Sequence, residues 1–137
     1  MSMRVTGGCA CGKVRYAADA RPITALYCQC RDCQYDSGGG HSCHVMLPQA
    51  ALDVSGALTS YWSSADSGNA VCRQFCPVCG SPITYGSAAF PGSIFVTAGS
   101  LDDPRLFVPV MVVFTQSAAP WDVIDPGLRR FSGMPPS

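Results

Sequence analysis

The segment Cys76-Pro77-Val78-Cys79-Gly80 forms a knuckle around which the rest of the chain can be placed. Its two cysteines are separated by two residues, and the glycine that follows can adopt the left-handed backbone that a tight turn needs. A second pair, Cys9-Ala10-Cys11, lies near the N-terminus. Structural zinc takes four ligands in a tetrahedron, commonly all cysteine and supplied by short loops. We therefore predict a structural zinc site at the four-cysteine cluster, which consists of Cys9, Cys11, Cys76 and Cys79.

A further segment, Cys28-Gln29-Cys30-Arg31-Asp32-Cys33, holds three thiols and no obvious fourth ligand. Three protein ligands with one open position are typical of catalytic zinc. Three thiolates weaken the metal as a Lewis acid and as an activator of water, so peptide-type hydrolysis is disfavoured. Such a site suits a sulfur ligand instead. We predict that this three-cysteine cluster, Cys28, Cys30 and Cys33, is catalytic and holds a second, exchangeable or catalytic zinc whose open position takes a substrate thiol.

Other interpretations of the three-cysteine cluster stay open. It could be a second structural zinc site or, as a third alternative, an iron–sulfur site. The candidates for a fourth ligand are His41, Cys43, His44 and Cys72. The two cysteines lie in strand-like segments without ligand spacing, which is more typical of small core residues, and the histidines are more typical of hydrogen-bonded structural residues. Asp32 and Asp36 could orient a ligand or could equally serve as cap and turn residues.

Composition restricts both the fold and the chemistry. The 137 residues include nine basic and nine acidic side chains, no glutamate and a single lysine, Lys13. Glutamate and lysine favour helices, whereas the 14 glycines and 11 prolines interrupt them, so a mostly β fold with little helix is predicted. Zero net charge and the absence of a basic patch argue against nucleic acid as a partner. Without glutamate, a hydrolytic zinc site would lack a common general base.

Strand-like segments recur at the spacing of a small all-β protein. They are Gly12–Ala17, Ser42–Leu47, Ala51–Val54, Thr59–Trp62, Val71–Phe75, Ile83–Tyr85, Ile94–Thr97 and Val108–Phe114. Pro109 indicates that the last strand lies at an edge or begins after it. Helix is expected only near Cys30–Tyr35. The length favours a single domain over residues 1–137, with an irregular tail from Pro126 to Ser137.

The redox compartment decides how nine cysteines are interpreted. The N-terminal residues contain no continuous apolar segment of the kind found in secretory signals. No apolar run approaches the roughly 20 residues of a membrane span, so no membrane partner is expected. A cytoplasmic location follows as a prediction. In a reducing cytosol, clustered cysteines are more often metal ligands or reactive thiols than disulfides, and two paired clusters are hard to explain as packing alone.

Five motifs follow one another in an order that is characteristic of a known family. They are Gly7–Tyr16, Cys28–Cys33 followed by Ser37-Gly38, Arg73–Pro82, Leu101–Pro104 and Ala119–Trp121. Over Gly7 to Trp121 the chain resembles the glutathione-dependent formaldehyde-activating enzyme and centromere protein V family. The resemblance implies a small zinc-stabilised β-tent fold of short antiparallel sheets, with zinc at both cysteine clusters. It also implies carbon–sulfur lyase chemistry: reversible addition of glutathione to formaldehyde to give S-hydroxymethylglutathione.

The chain departs from the family pattern at Val112, where the family often carries histidine, and it lacks the basic extension of centromere-associated members. Two hypotheses follow. In the first, the protein is a lyase whose partner is a small thiol such as glutathione, with Tyr35, His41, His44 or water as proton donor. In the second, it is a non-catalytic zinc-binding module for thiol sensing or protein interaction. The assembly state is left open, a homodimer included.

Overall fold

Short strands carry most of the regular structure of residues 3–135, the part of the chain that the computed structural model describes. They are β1 (Arg4–Gly8), β2 (Arg15–Asp19), β3 (Thr24–Cys28), β4 (Ser42–Pro48), β5 (Leu52–Ser55), β6 (Thr59–Ser64), β7 (Ala70–Phe75), β8 (Pro82–Ser87), β9 (Ser93–Thr97), β10 (Met111–Val113) and β11 (Arg129–Arg130). One α-helix, α1 (Arg31–Ser37), occurs in this part of the chain, along with single 3₁₀ turns. The predicted mostly β fold class with little helix is confirmed.

The predicted strands are all present with shifted ends, and the helix falls where it is expected. The last predicted strand begins at Met111, after Pro109, as the proline indicates. Three strands were not predicted: β1, β3 and β11. Of the tail expected to be irregular, residues 126–135 contain the two-residue β11, and Pro136 and Ser137 lie outside the described residues. Met1 and Ser2 of the N-terminal segment lie outside them too.

The strands form two sheets. A three-stranded antiparallel sheet has the order β1-β2-β5, and an eight-stranded sheet has the order β11-β10-β3-β4-β9-β8-β7-β6. The strand pairs are antiparallel, as expected, except at one end of the large sheet, where β10 runs parallel to both β3 and β11. A strand that enters through the long connection from β9 is free to arrive in either direction, unlike one that follows a tight hairpin.

The middle of the eight-stranded sheet is buried on both faces, and successive residues of β3 and β4 point to opposite faces. One face carries Ala25, Val45 and Leu47, which pack with Val5, Val14 and Tyr16 beneath the small sheet. The other face carries Leu26, Cys28 and Met46, which pack with Phe95 and Val113. Val45 and Leu47 are fully buried, and each such side chain contributes roughly 1.5–3 kcal/mol. The two faces therefore have separate cores.

Helix α1 connects β3 to β4 and is closed at both ends. The Cys30 Sγ accepts a hydrogen bond of 3.3 Å from the backbone N–H of Cys33, which caps the N-terminus. Gly38, at φ 74°, donates its N–H to the carbonyl oxygen of Gln34 and ends the helix. The cap at Cys30 brings residues of the three-cysteine cluster onto one turn. Within residues 3–135, no helix has the length and apolarity that crossing a membrane requires.

Candidate metal centres and the adjoining pocket

The four-cysteine cluster brings together two loops that are distant in sequence. All four sulfur atoms lie within 4.8 Å of one another. The Cys11 Sγ lies 3.5 Å from the Cys9 Sγ and 3.7 Å from the Cys76 Sγ. Tetrahedral zinc with Zn–S bonds of about 2.3 Å places its sulfur ligands about 3.8 Å apart. The spacing and the soft, all-sulfur donor set therefore fit zinc.

Backbone and hydroxyl donors surround these sulfurs. The Cys9 Sγ accepts a hydrogen bond of 3.2 Å from the Val14 N–H, and the Cys76 Sγ accepts one of 3.4 Å from the Val78 N–H. The hydroxyl and backbone N–H of Ser81 lower the pKa of Cys79 to about 5. Hydrogen bonds to the charged form favour thiolates, which are the state that binds metal. The thiolate is thus favoured at Cys9 and Cys79, whereas burial and the neighbouring cysteines raise the pKa of Cys11 to about 11.

The three-cysteine cluster is built from one short segment. Cys28 ends β3, Cys30 caps α1 and Cys33 lies in its first turn. The three sulfur atoms lie within 4.8 Å of one another, and Cys28 and Cys33 are buried. Hydrogen bonds with the Cys28 and Cys33 thiols lower the pKa of Cys30 to about 2. Hydrogen bonds with Cys30 and Cys33 raise the pKa of Cys28. A negative charge shared by three convergent sulfurs is a donor set that fits a soft cation such as zinc.

A pocket of about 340 Å³ adjoins the three-cysteine cluster, and all three cysteines line it. Its walls are largely apolar and aromatic, formed by Leu26, Val71, Tyr85, Phe90, Phe95 and Phe114. The polar groups in the wall include His44 and Arg73. An apolar cavity with a few convergent polar groups is the usual form of a small-molecule site. The cluster therefore opens into a space that a small substrate could enter.

Two side chains of this pocket, Arg73 and Tyr85, were missed in the sequence. The Arg73 guanidinium lies over the Tyr85 ring, 4.9 Å from its centroid, and its Nε is buried without a hydrogen-bond partner. Burial raises the pKa of Tyr85 to about 12, so its hydroxyl keeps its proton at neutral pH. The alternation of β7 is the signal that could have revealed Arg73, because it places Val71 and Arg73 on one face.

A sequence model of the family described as glutathione-dependent formaldehyde-activating enzyme matches residues 4–117. The chain belongs to this family. No curated protein matches the chain significantly. The crystal structure of a Rhodobacter sphaeroides protein superimposes with a TM-score of 0.60 at 20% sequence identity, covering 92% of this chain and 98% of that one. At that identity the likeness concerns the fold alone.

Of the four candidate fourth ligands, only His44 approaches the three-cysteine cluster in this family member. Its Nε2 lies 3.9 Å from the Cys33 Sγ and 2.7 Å from the Ser42 Oγ. Burial and the nearby Arg73 guanidinium lower the pKa of His44 to about 4. His44 is absent from the group of converging ligand atoms, which among residues 3–135 contains the three sulfurs alone. The cluster therefore keeps one side open toward the pocket.

The other candidates lie elsewhere. His41 and Cys43 line a different cavity, of about 570 Å³, beside Cys9, and Cys72 lines a cavity on the face of β7 opposite to Val71 and Arg73. The His41 Nδ1 lies 2.9 Å from both carboxylate oxygens of Asp122. These three side chains are consequently not brought to the three-cysteine cluster. Val112, at the position where the family often carries histidine, is fully buried in β10.

Three further predicted residues can be placed relative to the pocket. Asp32 lines it and is exposed, whereas Asp36 lines the cavity beside Cys9. Tyr35 is 78% exposed and its ring stacks under the Arg31 guanidinium at 4.9 Å, so it does not line the pocket. Of the predicted proton donors, His44 alone lies in the pocket wall. Tyr85 adds a second candidate there.

Proposed function

We propose that the protein is a zinc-dependent carbon–sulfur lyase-type enzyme that reversibly adds a small thiol to an aldehyde. The family description names glutathione and formaldehyde, and that pair is the first substrate pair to test. One observation carries the proposal: three convergent thiols, without a fourth protein ligand among the described residues, line a largely apolar pocket. A closed structural site would need a fourth ligand and no adjoining cavity.

The two clusters receive separate roles in this proposal. Cys9, Cys11, Cys76 and Cys79 hold structural zinc, and Cys28, Cys30 and Cys33 hold the second zinc. Bound there, the metal would keep a substrate thiol deprotonated at neutral pH. The pocket walls exclude water and hold thiol and aldehyde together, which replaces an encounter between two solutes by a reaction within one complex.

The reaction balances with the groups in the pocket. A carbon–sulfur bond forms between the thiol sulfur and the carbonyl carbon, and the carbonyl electron pair moves to oxygen. That oxygen takes up a proton from a donor in the pocket, and the donor regains a proton from solvent, which balances the proton that the thiol releases. The Tyr85 hydroxyl is the donor, because it lines the pocket and its raised pKa keeps it protonated. Buried His44 is neutral at pH 7, since its pKa is lowered to about 4.

The proposal extends to location and domain organisation. All nine cysteines are free thiols in the structure, in keeping with a reducing, cytoplasmic environment. A single domain over residues 1–137 remains the proposed organisation.

A second candidate, a zinc-binding module for protein interaction, is favoured by one observation. The edge strand β6 exposes Tyr61 and Trp62 with 61% and 66% of their surface accessible. Exposed edges that carry aromatic side chains are common interaction surfaces. A purified protein that binds zinc at both clusters and accelerates no thiol–aldehyde exchange would support this candidate over the first.

Nuclear magnetic resonance exchange spectroscopy tests the enzymatic proposal directly. Zinc-loaded protein should accelerate the interconversion of glutathione plus formaldehyde with S-hydroxymethylglutathione. Cys30→Ser should abolish the acceleration, whereas Cys43→Ser, a matched change outside both clusters, should preserve it. No acceleration with glutathione or with any smaller thiol would refute the enzymatic function. Metal analysis of the same samples should give two zincs per chain for the unaltered protein and one for Cys30→Ser.

A further inference from the structure

The size and lining of the pocket beside the three-cysteine cluster restrict its occupant. Its volume of about 340 Å³ lies at the lower end of the roughly 300–1,000 Å³ typical of small-molecule sites. Phe90, Phe95 and Phe114 contribute aromatic surface to it. An occupant that fills this space needs a compact apolar body, because polar groups placed against aromatic walls would lose their hydrogen bonds to water.

Arg73 is the one cationic side chain among the described lining residues. Its Nε is buried and has no hydrogen-bond partner, which is costly for a charged donor. The face of its guanidinium is covered by Tyr85, and one terminal nitrogen donates a hydrogen bond of 3.5 Å to the Ser63 Oγ. The side chain also interacts with Cys33 and Asp36, so the part of its edge around the unpartnered Nε is what remains for a ligand. A carboxylate is the group that matches a guanidinium edge in charge and geometry. The pocket therefore offers one anchoring point for one carboxylate.

The remaining charged residues of the lining are acidic. Asp32 and Asp66 are both exposed, which places them toward the opening of the pocket. A second carboxylate on an occupant would meet these like charges, and juxtaposed like charges are a common means of rejecting wrong partners. Glutathione carries two carboxylates and an ammonium on an extended backbone, so the carboxylate that Arg73 does not bind has no cationic partner among the described lining residues.

We propose that the pocket selects a compact apolar thiol carrying a single carboxylate, bound through Arg73, in preference to glutathione. This inference rests on the proposed function, since it names the thiol that the three-cysteine cluster would receive. It makes Arg73 a specificity-determining residue.

Isothermal titration calorimetry of the zinc-loaded protein with four thiols tests the inference. The probes are 3-mercaptopropionate, 1-propanethiol, cysteamine and glutathione, which differ in carrying one carboxylate, no charge, an ammonium, or two carboxylates with an ammonium. We expect 3-mercaptopropionate to bind at least about 10-fold more tightly than each of the others, the usual effect of a hydrogen-bonded charge. Glutathione binding as tightly as 3-mercaptopropionate would overturn the inference.

Arg73→Gln separates recognition of the substrate from neutralisation of the cluster. It should weaken 3-mercaptopropionate binding about 10-fold and leave 1-propanethiol binding unchanged. Equal weakening of both thiols would overturn the inference, because Arg73 would then act on the cysteine sulfurs. Arg31→Gln is the matched control, since Arg31 is adjacent to the cluster in sequence but stacks on the exposed Tyr35. Circular dichroism and zinc content should be unchanged in both variants.

The outcomes distinguish this inference from the proposed function. If all four thiols bind equally and glutathione exchange is accelerated, the function stands and the substrate preference is wrong. If none of the thiols binds, both fail. The series measured on the unaltered protein decides the preference even if Arg73→Gln does not fold.

Discussion

The two cysteine clusters of this protein use the same ligand type but differ in ligand number, origin and surroundings. The four-cysteine cluster joins two loops 65 residues apart and presents Cys11 and Cys79 to solvent. The three-cysteine cluster comes from one turn of chain, buries Cys28 and Cys33, and adjoins a pocket. A complete ligand set drawn from distant segments stabilises the fold, whereas an incomplete set drawn from one segment leaves a coordination position for chemistry. The proposed division of roles therefore rests on the number and origin of the ligands rather than on their exposure.

Replacing one cysteine in each cluster should give the largest difference between the two clusters. Cys76→Ser is expected to unfold the protein, because structural zinc contributes roughly 10–16 kcal/mol in small zinc domains, against a typical total stability of 5–15 kcal/mol. Cys30→Ser should retain cooperative thermal unfolding. Circular dichroism melts measure both variants. Equal loss of stability would show that the clusters do not divide structure from function.

Titration with a chelator should also distinguish the two clusters, without any mutation. The zinc of the three-cysteine cluster should leave first on titration with a chelator, since its open position admits a competing ligand. The zinc of the four-cysteine cluster should leave only as the protein unfolds. Released zinc followed by a chromogenic indicator, together with circular dichroism, measures the two steps. A single release step that coincides with unfolding would contradict the prediction.

Tyr85→Phe tests the chemistry on the pocket side of the comparison. Removing the hydroxyl should slow thiol–aldehyde exchange by about 100-fold, the lower end of what a positioned proton donor contributes. The substitution keeps the ring beneath Arg73, so stability should change little. Tyr61→Phe is the matched control, because Tyr61 is exposed on β6. Exchange spectroscopy measures both, and equal rates for the two variants would exclude Tyr85 as the donor.

Backbone strain also differs between the two regions. The turns of the four-cysteine cluster use glycine at positive φ, at Gly12 and Gly80, whereas Phe114 in the pocket wall holds φ 58°. A bulky residue in this left-handed region costs roughly 1–2 kcal/mol, and such outliers concentrate at functional sites. Phe114→Ala and Phe114→Gly both remove the aromatic ring, but only glycine relieves the strain of the positive φ angle. Urea unfolding should find Phe114→Gly about 1 kcal/mol more stable than Phe114→Ala. The opposite order would show that the backbone is not strained.

Local patterns predicted much of the fold, and their failures have physical causes. β4 and β9 were predicted because their apolar residues alternate with polar ones or form a continuous run between clear turns. β1 contains Gly7 and Gly8, which have low strand propensity, and it forms because it pairs with β2. β3 is buried on both faces in the middle of the large sheet, so it lacks the alternation that marks a half-buried strand.

The candidate site was predicted unevenly for the same reason. Cysteine spacing indicated both clusters, because ligands within a few residues of one another reveal themselves in any sequence. His41 and His44 were equivalent candidates in sequence, yet His44 contacts the three-cysteine cluster and His41 pairs with Asp122. His41 lies just before β4 and His44 lies within it, and the two side chains line different cavities. Sequence alone does not tell which face of the sheet a loop or helix will cover.

The sequence by itself determined the ligand chemistry: seven clustered thiols in a chain without glutamate, which favours zinc bound by sulfur and disfavours hydrolysis. The tertiary structure alone decided that Arg73, Tyr85 and Phe114 surround the three-cysteine cluster. Metal ligands cluster locally because one short turn can hold a metal. A pocket wall is assembled from strands that the fold brings together: β7 and β8 are neighbours in the large sheet, and the end of β10 reaches the same site although β3, β4 and β9 lie between them in the strand order.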